Sequence, residues 1–212
     1  GMGTTVLSAA EFIGRIPEYY FQAIGSGTGA IAAWEANLRL IEDGRFGKNK
    51  MKLMVSQNYP FTPIFDAWKA GSRKILAMDD EVARKQVEQI NAKVLSNRKP
   101  PYSPIGGLFD AMTDSGGDVI ICNNQEAIIA NDLFEKYEGI DLHPAAAIAT
   151  ASLIQAVREN MVDKDSLIML NITGGGEEKF KKEKKLHYLK PSQIFQIDPD
   201  PGDVLKKIET LF

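Results

Sequence analysis

The chain has 212 residues, of which 44% are hydrophobic, and 28 acidic residues against 25 basic ones give a net charge of −3. This composition is that of a folded protein with a substantial core, and the near-balanced charge argues against nucleic acid or an anionic membrane as a partner. A single cysteine excludes an internal disulfide, and two histidines outside any zinc-like spacing predict no metal site. No run is apolar enough to span a bilayer and no leader opens the chain, so we expect a soluble, cytoplasmic protein.

The predicted elements alternate between helix and strand along the chain. Apolar spacing predicts helices over 4–15, 30–43, 64–70, 81–97, 108–115, 124–138 (with Asn124 as its cap) and 144–160. Runs of β-forming residues predict strands over 19–24, 51–56, 118–122 and 166–172. This alternation favours an α/β fold, in which a mostly parallel sheet lies between two helical layers in a three-layer αβα arrangement.

The regular pattern is interrupted once before the C-terminal region. Residues 57–107 form an irregular excursion that is rich in turn-forming residues and carries the polar helix predicted over 81–97. We therefore expect one α/β domain over residues 1–178, containing this excursion, and a C-terminal extension over residues 179–212.

A glycine-rich loop joins the first predicted strand to the second predicted helix. It reads Gly25-Ser26-Gly27-Thr28-Gly29, and three glycines in five residues let the backbone adopt positive φ and let a ligand approach closely. The first N–H groups of the following helix have no partner within that helix and point toward such a ligand. This arrangement favours the binding of a phosphate group.

Two other interpretations of the loop stay open from the residues alone. The lysine and the Ser/Thr of a Walker loop are missing, but Gly25, Gly27 and Ala30 satisfy a loose dinucleotide-binding pattern, G-x-G-x-x-A. That pattern requires an acidic residue at the end of the second strand, where Gln57 and Asn58 stand instead. The loop is alternatively a structural turn, whose glycines serve only tight packing between strand and helix.

A second candidate segment follows the last predicted strand. Thr173-Gly174-Gly175-Gly176 places a hydroxyl and a flexible turn at a strand end, although plain turns commonly carry such residues. In open parallel sheets, ligands bind at the carboxyl ends of the strands, near the point where strand order reverses. The Thr173 segment and the glycine loop both lie at such ends. Gln57 follows the second predicted strand and is therefore a candidate for lining a substrate pocket.

Three segments in register resemble one enzyme family. YFQAIGSGTGAI at 20–31 resembles the phosphate-binding loop of the pyridoxal-phosphate enzymes of fold type II, the group of threonine synthase and cysteine synthase. GIDLHPAAA at 139–147 is similar to that group's E-G-x-x-x-E-P-A-x-A segment, with His143 in place of a glutamate, and LNITGGG at 170–176 is similar to its L-x-L-T-G-x-G. The chain is identified as a member of the threonine synthase family and resembles the C-terminal, large-domain part of such an enzyme.

The resemblance implies a site for pyridoxal 5'-phosphate. The backbone of Gly25–Gly29, with the hydroxyls of Ser26 and Thr28, is implied to bind the cofactor phosphate, and Thr173 to face the pyridine nitrogen. Gln57 and Gly174 are candidates for the substrate pocket.

The reaction that the resemblance implies is a β- or γ-replacement on a phosphorylated amino acid. Overall similarity favours exchange of the phosphate of O-phosphoserine for sulfite, and the second candidate is conversion of O-phosphohomoserine to threonine. An alternative of another class is a non-catalytic domain that binds a phosphate ligand.

The catalytic lysine of this family is absent from the expected place. In the family, the lysine that forms the Schiff base lies before the phosphate loop, yet only 24 residues precede Gly25 here and none is a lysine. The resemblance therefore implies no catalytic residue in this chain, which we expect to be inactive alone and to act with the N-terminal part of its own polypeptide. We expect no nucleic-acid or membrane partner, and the sequence leaves open whether the protein forms a homo-oligomer.

Overall fold

The computed structural model describes residues 1–196 and 199–211, which fall into two units, Gly1–Lys179 and Phe180–Phe212. The first unit contains the helices and strands α1 (Thr4–Ile13), β1 (Tyr19–Ala23), α2 (Thr28–Asp43), β2 (Lys52–Asn58), α3 (Pro63–Lys69), α4 (Asp80–Gln89), a 3₁₀ helix (Lys93–Leu95), α5 (Leu108–Ser115), β3 (Asp118–Cys122), α6 (Asn124–Glu138), α7 (Pro144–Arg158) and β4 (Ile168–Leu170). Helix α8 (Glu177–Glu183) follows, and the second unit contains α9 (Pro201–Glu209). None of the helices in the described residues is long and apolar enough to cross a membrane.

The four strands form one parallel sheet in the order β3-β2-β1-β4, which confirms the predicted α/β fold. Strand β1 pairs with β2 on one side and with β4 on the other, so Tyr20 lies beside both Leu53 and Met169. The chain therefore adds β2 and β3 on one side of β1 and returns to the opposite side for β4. Strand order reverses between β1 and β4.

Each face of the sheet is covered by helices because apolar side chains alternate along the strands. Tyr20, Leu53 and Val55 face a core cluster that includes residues of α1, α2, α3 and α5. Phe21 and Met54 face a second cluster, formed with α6 and α7. Helix α7 contributes small buried side chains to this cluster, including Ala145, Ala146, Ala147, Ala149 and Ala151.

The excursion contains less helix than its sequence predicts. Helix α4 ends at Gln89, and the 3₁₀ helix Lys93–Leu95 follows separately. Side-chain amides from distant residues take the backbone groups between them: Asn58 Oδ1 accepts the N–H of Ala92 at 3.1 Å, and Asn124 Nδ2 donates to the carbonyl of Gln89 at 2.7 Å. These bonds replace the helical hydrogen bonds that a continuous helix requires.

The cap predicted at Asn124 is wrong by one residue. Asn123 caps α6, because its Oδ1 accepts the N–H of Glu126 at 2.9 Å while the Glu126 carboxylate accepts the N–H of Asn123 at 2.8 Å. This reciprocal pair is a capping box. Asn124 points elsewhere and accepts hydrogen bonds from the N–H of Asn91 and from Asn58 Nδ2, at 2.9 and 3.1 Å.

Candidate functional site

The candidate site lies at the carboxyl ends of three neighbouring strands. The loop Gly25–Gly29 follows β1, the turn Thr173–Gly176 follows β4, and Gln57 is the last residue but one of β2. Because these strands are parallel neighbours, all three segments reach the same edge of the sheet. The loop and the turn flank the point where strand order reverses, which is where open α/β sheets bind their ligands.

Unpaired backbone donors are concentrated in the loop and the first turn of α2. The N–H groups of Ser26, Gly27, Gly29 and Ala30 have no acceptor among the residues that the structure describes. The N–H of Thr28 reaches only Ser26 Oγ, at 3.4 Å. The first turn of α2 carries no acidic residue, so the positive end of the helix dipole is not neutralised there. The loop therefore offers several N–H groups and a favourable field to an anion.

Two hydroxyl groups lie beside these donors. Ser26 Oγ and Thr28 Oγ1 are 3.0 Å apart, and the side chain of Thr28 is exposed. Either hydroxyl can donate to the other or turn to donate to an oxygen of a bound anion. The hydroxyls predicted to accompany the backbone donors are thus brought together by the loop.

The glycines of the loop are required by the packing beneath it. Gly27 has φ +80°, and a Cβ there would lie 2.7 Å from Leu108 Cδ2. A Cβ on Gly29 would lie 2.5 Å from Gln22 Nε2, and on Gly25 it would lie 3.0 Å from the carbonyl oxygen of Val94. The structural interpretation of the glycines is therefore sufficient for the glycines themselves, but it does not account for the unpaired N–H groups.

The 3₁₀ helix Lys93–Leu95 contacts the loop directly. A Cβ at Gly25 would lie 3.1 Å from Leu95 Cα, so only a glycine lets the two backbones approach this closely. The excursion, whose sequence shows no sign of a role in the site, therefore supports one side of the loop. Its position depends on the bonds of Asn58 and Asn124 to the backbone before the 3₁₀ helix.

The turn after β4 is held by the segment 141–143. The carbonyl of Asp141 accepts the N–H of Gly176 at 2.7 Å, and the carbonyl of Gly174 accepts the N–H of His143 at 3.0 Å. A Cβ on Gly175 would lie 2.5 Å from the carbonyl oxygen of Asp141, so this approach requires a glycine. Two of the three segments that carry the family resemblance are therefore in direct contact.

The side chains of this turn differ in their surroundings. Thr173 is exposed, and His143 starts α7 without a side-chain capping bond. The carboxylate of Asp141 accepts the N–H of Glu178 at 3.1 Å and that of Lys179 at 3.4 Å. These backbone donors, Glu178 first, hold the pKa of Asp141 below its usual value. Asp141 thus anchors the chain on the far side of the turn.

Gln57 is fully buried. Its Oε1 accepts the N–H groups of Ile64 and Phe65, at 2.9 and 3.0 Å, at the start of α3. Its Nε2 is buried without a hydrogen-bond partner in the described part of the chain, as is Ser56 Oγ on the opposite face of β2. An unpaired buried amide is costly, so Gln57 Nε2 is a donor available to a group that enters at this edge of the sheet.

Comparison with known proteins gives close relatives by sequence, although no family model matches the chain. A cysteate synthase from Methanosarcina acetivorans is 49% identical over 208 residues, 97% of this chain. Another, from Methanocella paludicola, is 52% identical over 192 residues, 90% of this chain. By sequence, the chain belongs to the cysteate synthase family. It spans about half the length of these cysteate synthases, 50% of the first and 45% of the second.

Solved structures agree with the fold expected for this family. Serine racemase from Dictyostelium discoideum superposes with a TM-score of 0.57 at 14% identity, over 84% of this chain and 49% of that protein. A bacterial-type relative in the same comparison, a threonine deaminase, gives a TM-score of 0.59 at 13% identity, over 82% of this chain and 55% of that protein. At such low identity the likeness shows the fold alone. Sequence and fold together confirm the predicted family.

The side chains that support the site were not identified from the sequence. Tyr20 and Gln22 stand on an otherwise apolar strand, and a polar residue in such a strand is a signal that their side chains bond to each other or to a neighbour. Asn58 and Asn124 carry no such signal, because their partners lie in the irregular excursion.

Proposed function

We propose that the chain is the C-terminal part of a cytoplasmic cysteate synthase, which uses pyridoxal 5'-phosphate to exchange the phosphate of O-phosphoserine for sulfite. The cysteate synthases that match 90–97% of this chain support the assignment, as do the three resembling segments and their order. The observation that carries it is the group of unpaired N–H donors in Gly25–Gly29, beside Thr173 at the reversal of strand order.

The residues of the loop fit a phosphate group. The N–H groups of Gly27 and Gly29 would donate to its oxygens, with the hydroxyls of Ser26 and Thr28 as further donors. The glycine backbone needs no rearrangement for this, since its packing against Leu108 and Gln22 already holds the donors in place. Preorganised donors of this kind bind an anion without first breaking bonds within the protein.

Thr173 is the partner proposed for the pyridine nitrogen of the cofactor. When bound, pyridoxal phosphate supplies the electron sink that elimination and replacement at Cβ require. Thr173 would present a neutral hydroxyl to the ring nitrogen, which favours the unprotonated nitrogen over the protonated one. Its exposure leaves the hydroxyl free to make this contact.

Gln57 and Gly174 are proposed to line the substrate pocket. Gln57 holds the start of α3 through Oε1 and keeps Nε2 as an unpaired donor. Gly174 lies against His143, because a Cβ on Gly174 would be 3.2 Å from the His143 Cβ. We further propose that the N-terminal part of the same polypeptide supplies the lysine that binds the cofactor covalently.

Titration of the purified chain with pyridoxal 5'-phosphate tests the cofactor site. We expect binding that inorganic phosphate competes with, and binding of pyridoxal, which lacks the phosphate, that is at least about tenfold weaker. Thr28→Val should weaken binding, whereas Thr5→Val, an exposed threonine of α1, should not. No lysine of the chain should be labelled after borohydride treatment. Equal binding of pyridoxal, or stabilisation of the chain by NAD alone, would contradict the proposal.

The reaction itself is tested with the full-length protein. We expect phosphate release from O-phosphoserine that depends on sulfite. Threonine formation from O-phosphohomoserine in place of this reaction would assign the protein to threonine synthase. Cofactor binding without either reaction would indicate the alternative class, a non-catalytic domain that binds a phosphate ligand.

A further inference from the structure

A chain of polar side chains lies beneath the candidate site. Asn171 Nδ2 donates to Tyr20 Oη at 2.7 Å, and Tyr20 Oη donates to Gln22 Oε1 at 2.9 Å. Tyr20 is only 1% exposed. Since the phenol oxygen accepts from Asn171, its single proton is directed to Gln22, and the series of hydrogen bonds has one direction.

The two ends of this series reach the two halves of the site. Asn171 follows β4 directly and lies two residues before Thr173, and its N–H donates to the carbonyl of Phe21 at 2.9 Å. At the other end, the amide of Gln22 packs against the first turn of α2, where a Cβ on Gly29 would lie 2.5 Å from Nε2. Tyr20 therefore links the strand that leads to the Thr173 turn with the helix that starts at the glycine loop.

We propose that Asn171, Tyr20 and Gln22 are positioning residues that fix the glycine loop and the Thr173 turn relative to each other. The three residues touch neither phosphate nor ring in this proposal, which rests on the function proposed above. They act through Gly29 at one end and through the backbone before Thr173 at the other.

Burial gives these hydrogen bonds their directing strength. Within a low-dielectric interior, a polar side chain that loses its partner has no water to replace it, so the alternative arrangements are disfavoured. Burial also raises the pKa of Tyr20 to about 12, which keeps the phenol protonated and able to donate throughout the neutral range. An apolar side chain at Tyr20 would fill the same volume but would leave the amides of Asn171 and Gln22 without their shared partner.

Amide NMR spectra of the ¹⁵N-labelled full chain test this linkage without any cofactor. Asn171→Asp replaces the amide donor by an acceptor of the same shape, so the Tyr20 proton should turn toward it and leave Gln22. We expect the Gly29 amide resonance to move in Asn171→Asp but not when the same substitution is made in a Tyr20→Phe background. Tyr137→Phe, at an exposed tyrosine of α6, is the matched control and should leave Gly29 and Gly174 unmoved. An unchanged Gly29 resonance in Asn171→Asp, or the same movement in both backgrounds, would overturn the proposal.

The affinity of the chain for pyridoxal 5'-phosphate provides the second readout. Tyr20→Phe and Asn171→Asp should each weaken binding by about tenfold, and the double variant should be no weaker than either single variant, since both break the same series. Wild-type affinity in both single variants would refute positioning. Failure of the wild-type chain to bind would refute the proposed function, while the NMR comparison would still decide on the linkage.

Discussion

Alanine at Gly27 tests how far the glycine loop is fixed by its own packing. Gly27 has φ +80°, where an added Cβ meets the backbone, and that Cβ would also lie 2.7 Å from Leu108 Cδ2. The left-handed backbone costs about 1–2 kcal/mol for a residue with a Cβ, and reduced freedom of the unfolded chain returns about 0.4–1 kcal/mol. Displacement of the Leu108 side chain in a packed core adds about 1–3 kcal/mol. We therefore expect Gly27→Ala to lower the free energy of unfolding by about 2–4 kcal/mol.

Gly14→Ala supplies the matched control for this substitution. Gly14 has a similar φ of +82° but nothing within 4 Å of its added Cβ, so only the backbone cost of about 1 kcal/mol applies. Urea unfolding followed by tryptophan fluorescence measures both variants. The excess in Gly27→Ala should shrink in a Leu108→Ala background, because the displaced side chain is then absent. Equal losses for Gly27→Ala and Gly14→Ala would refute the reasoning.

Three further predictions concern residues around the site. Asn58→Ala should cost about 2–3 kcal/mol and speed hydrogen exchange of the Ala92 amide, which loses its acceptor. Burial raises the pKa of Cys122 to about 12, so alkylation at about pH 8 should be roughly a thousandfold slower in the folded chain than in urea. Because the pKa of Asp141 is lowered, its contribution to stability is present above the usual carboxyl pKa and is lost as pH falls through the lowered value. Asp141→Asn should therefore flatten the acid side of a stability–pH curve, and an unchanged slope would contradict this.

The sequence predicts the elements of this fold well because their signals are local. Periodicity locates α5 and β3 to the residue, and the glycine loop is placed correctly between β1 and α2. Strand order is different, since nothing local shows that β4 returns to the free side of β1. The rule that ligands bind where order reverses could be applied to two candidate segments, but the reversal itself is seen only once the strands are paired.

The excursion shows why the remaining parts could not be predicted. Its predicted polar helix extends too far because Asn58 and Asn124 take the backbone groups after α4 from distant positions, at sequence separations of 34 and 35 residues. Helical periodicity contains no information about such partners. The same bonds bring the 3₁₀ helix against Gly25, so the support of the loop depends on long-range contacts as well.

The unpaired donors of α2 distinguish the loop from an ordinary helix start. Other helices have their first N–H groups taken by the chain: Gln57 Oε1 serves α3, the carbonyls of Pro101 and Tyr102 serve α5, and Asn123 serves α6. In α2 the nearest acceptor is Ser26 Oγ, at 3.4 Å from a single N–H. A turn built only for packing has no use for a row of donors that the fold leaves open, whereas an anion site needs both the rigid glycines below and the free N–H groups above. The glycines therefore explain the shape of the loop, and the donors are the reason to assign it a ligand.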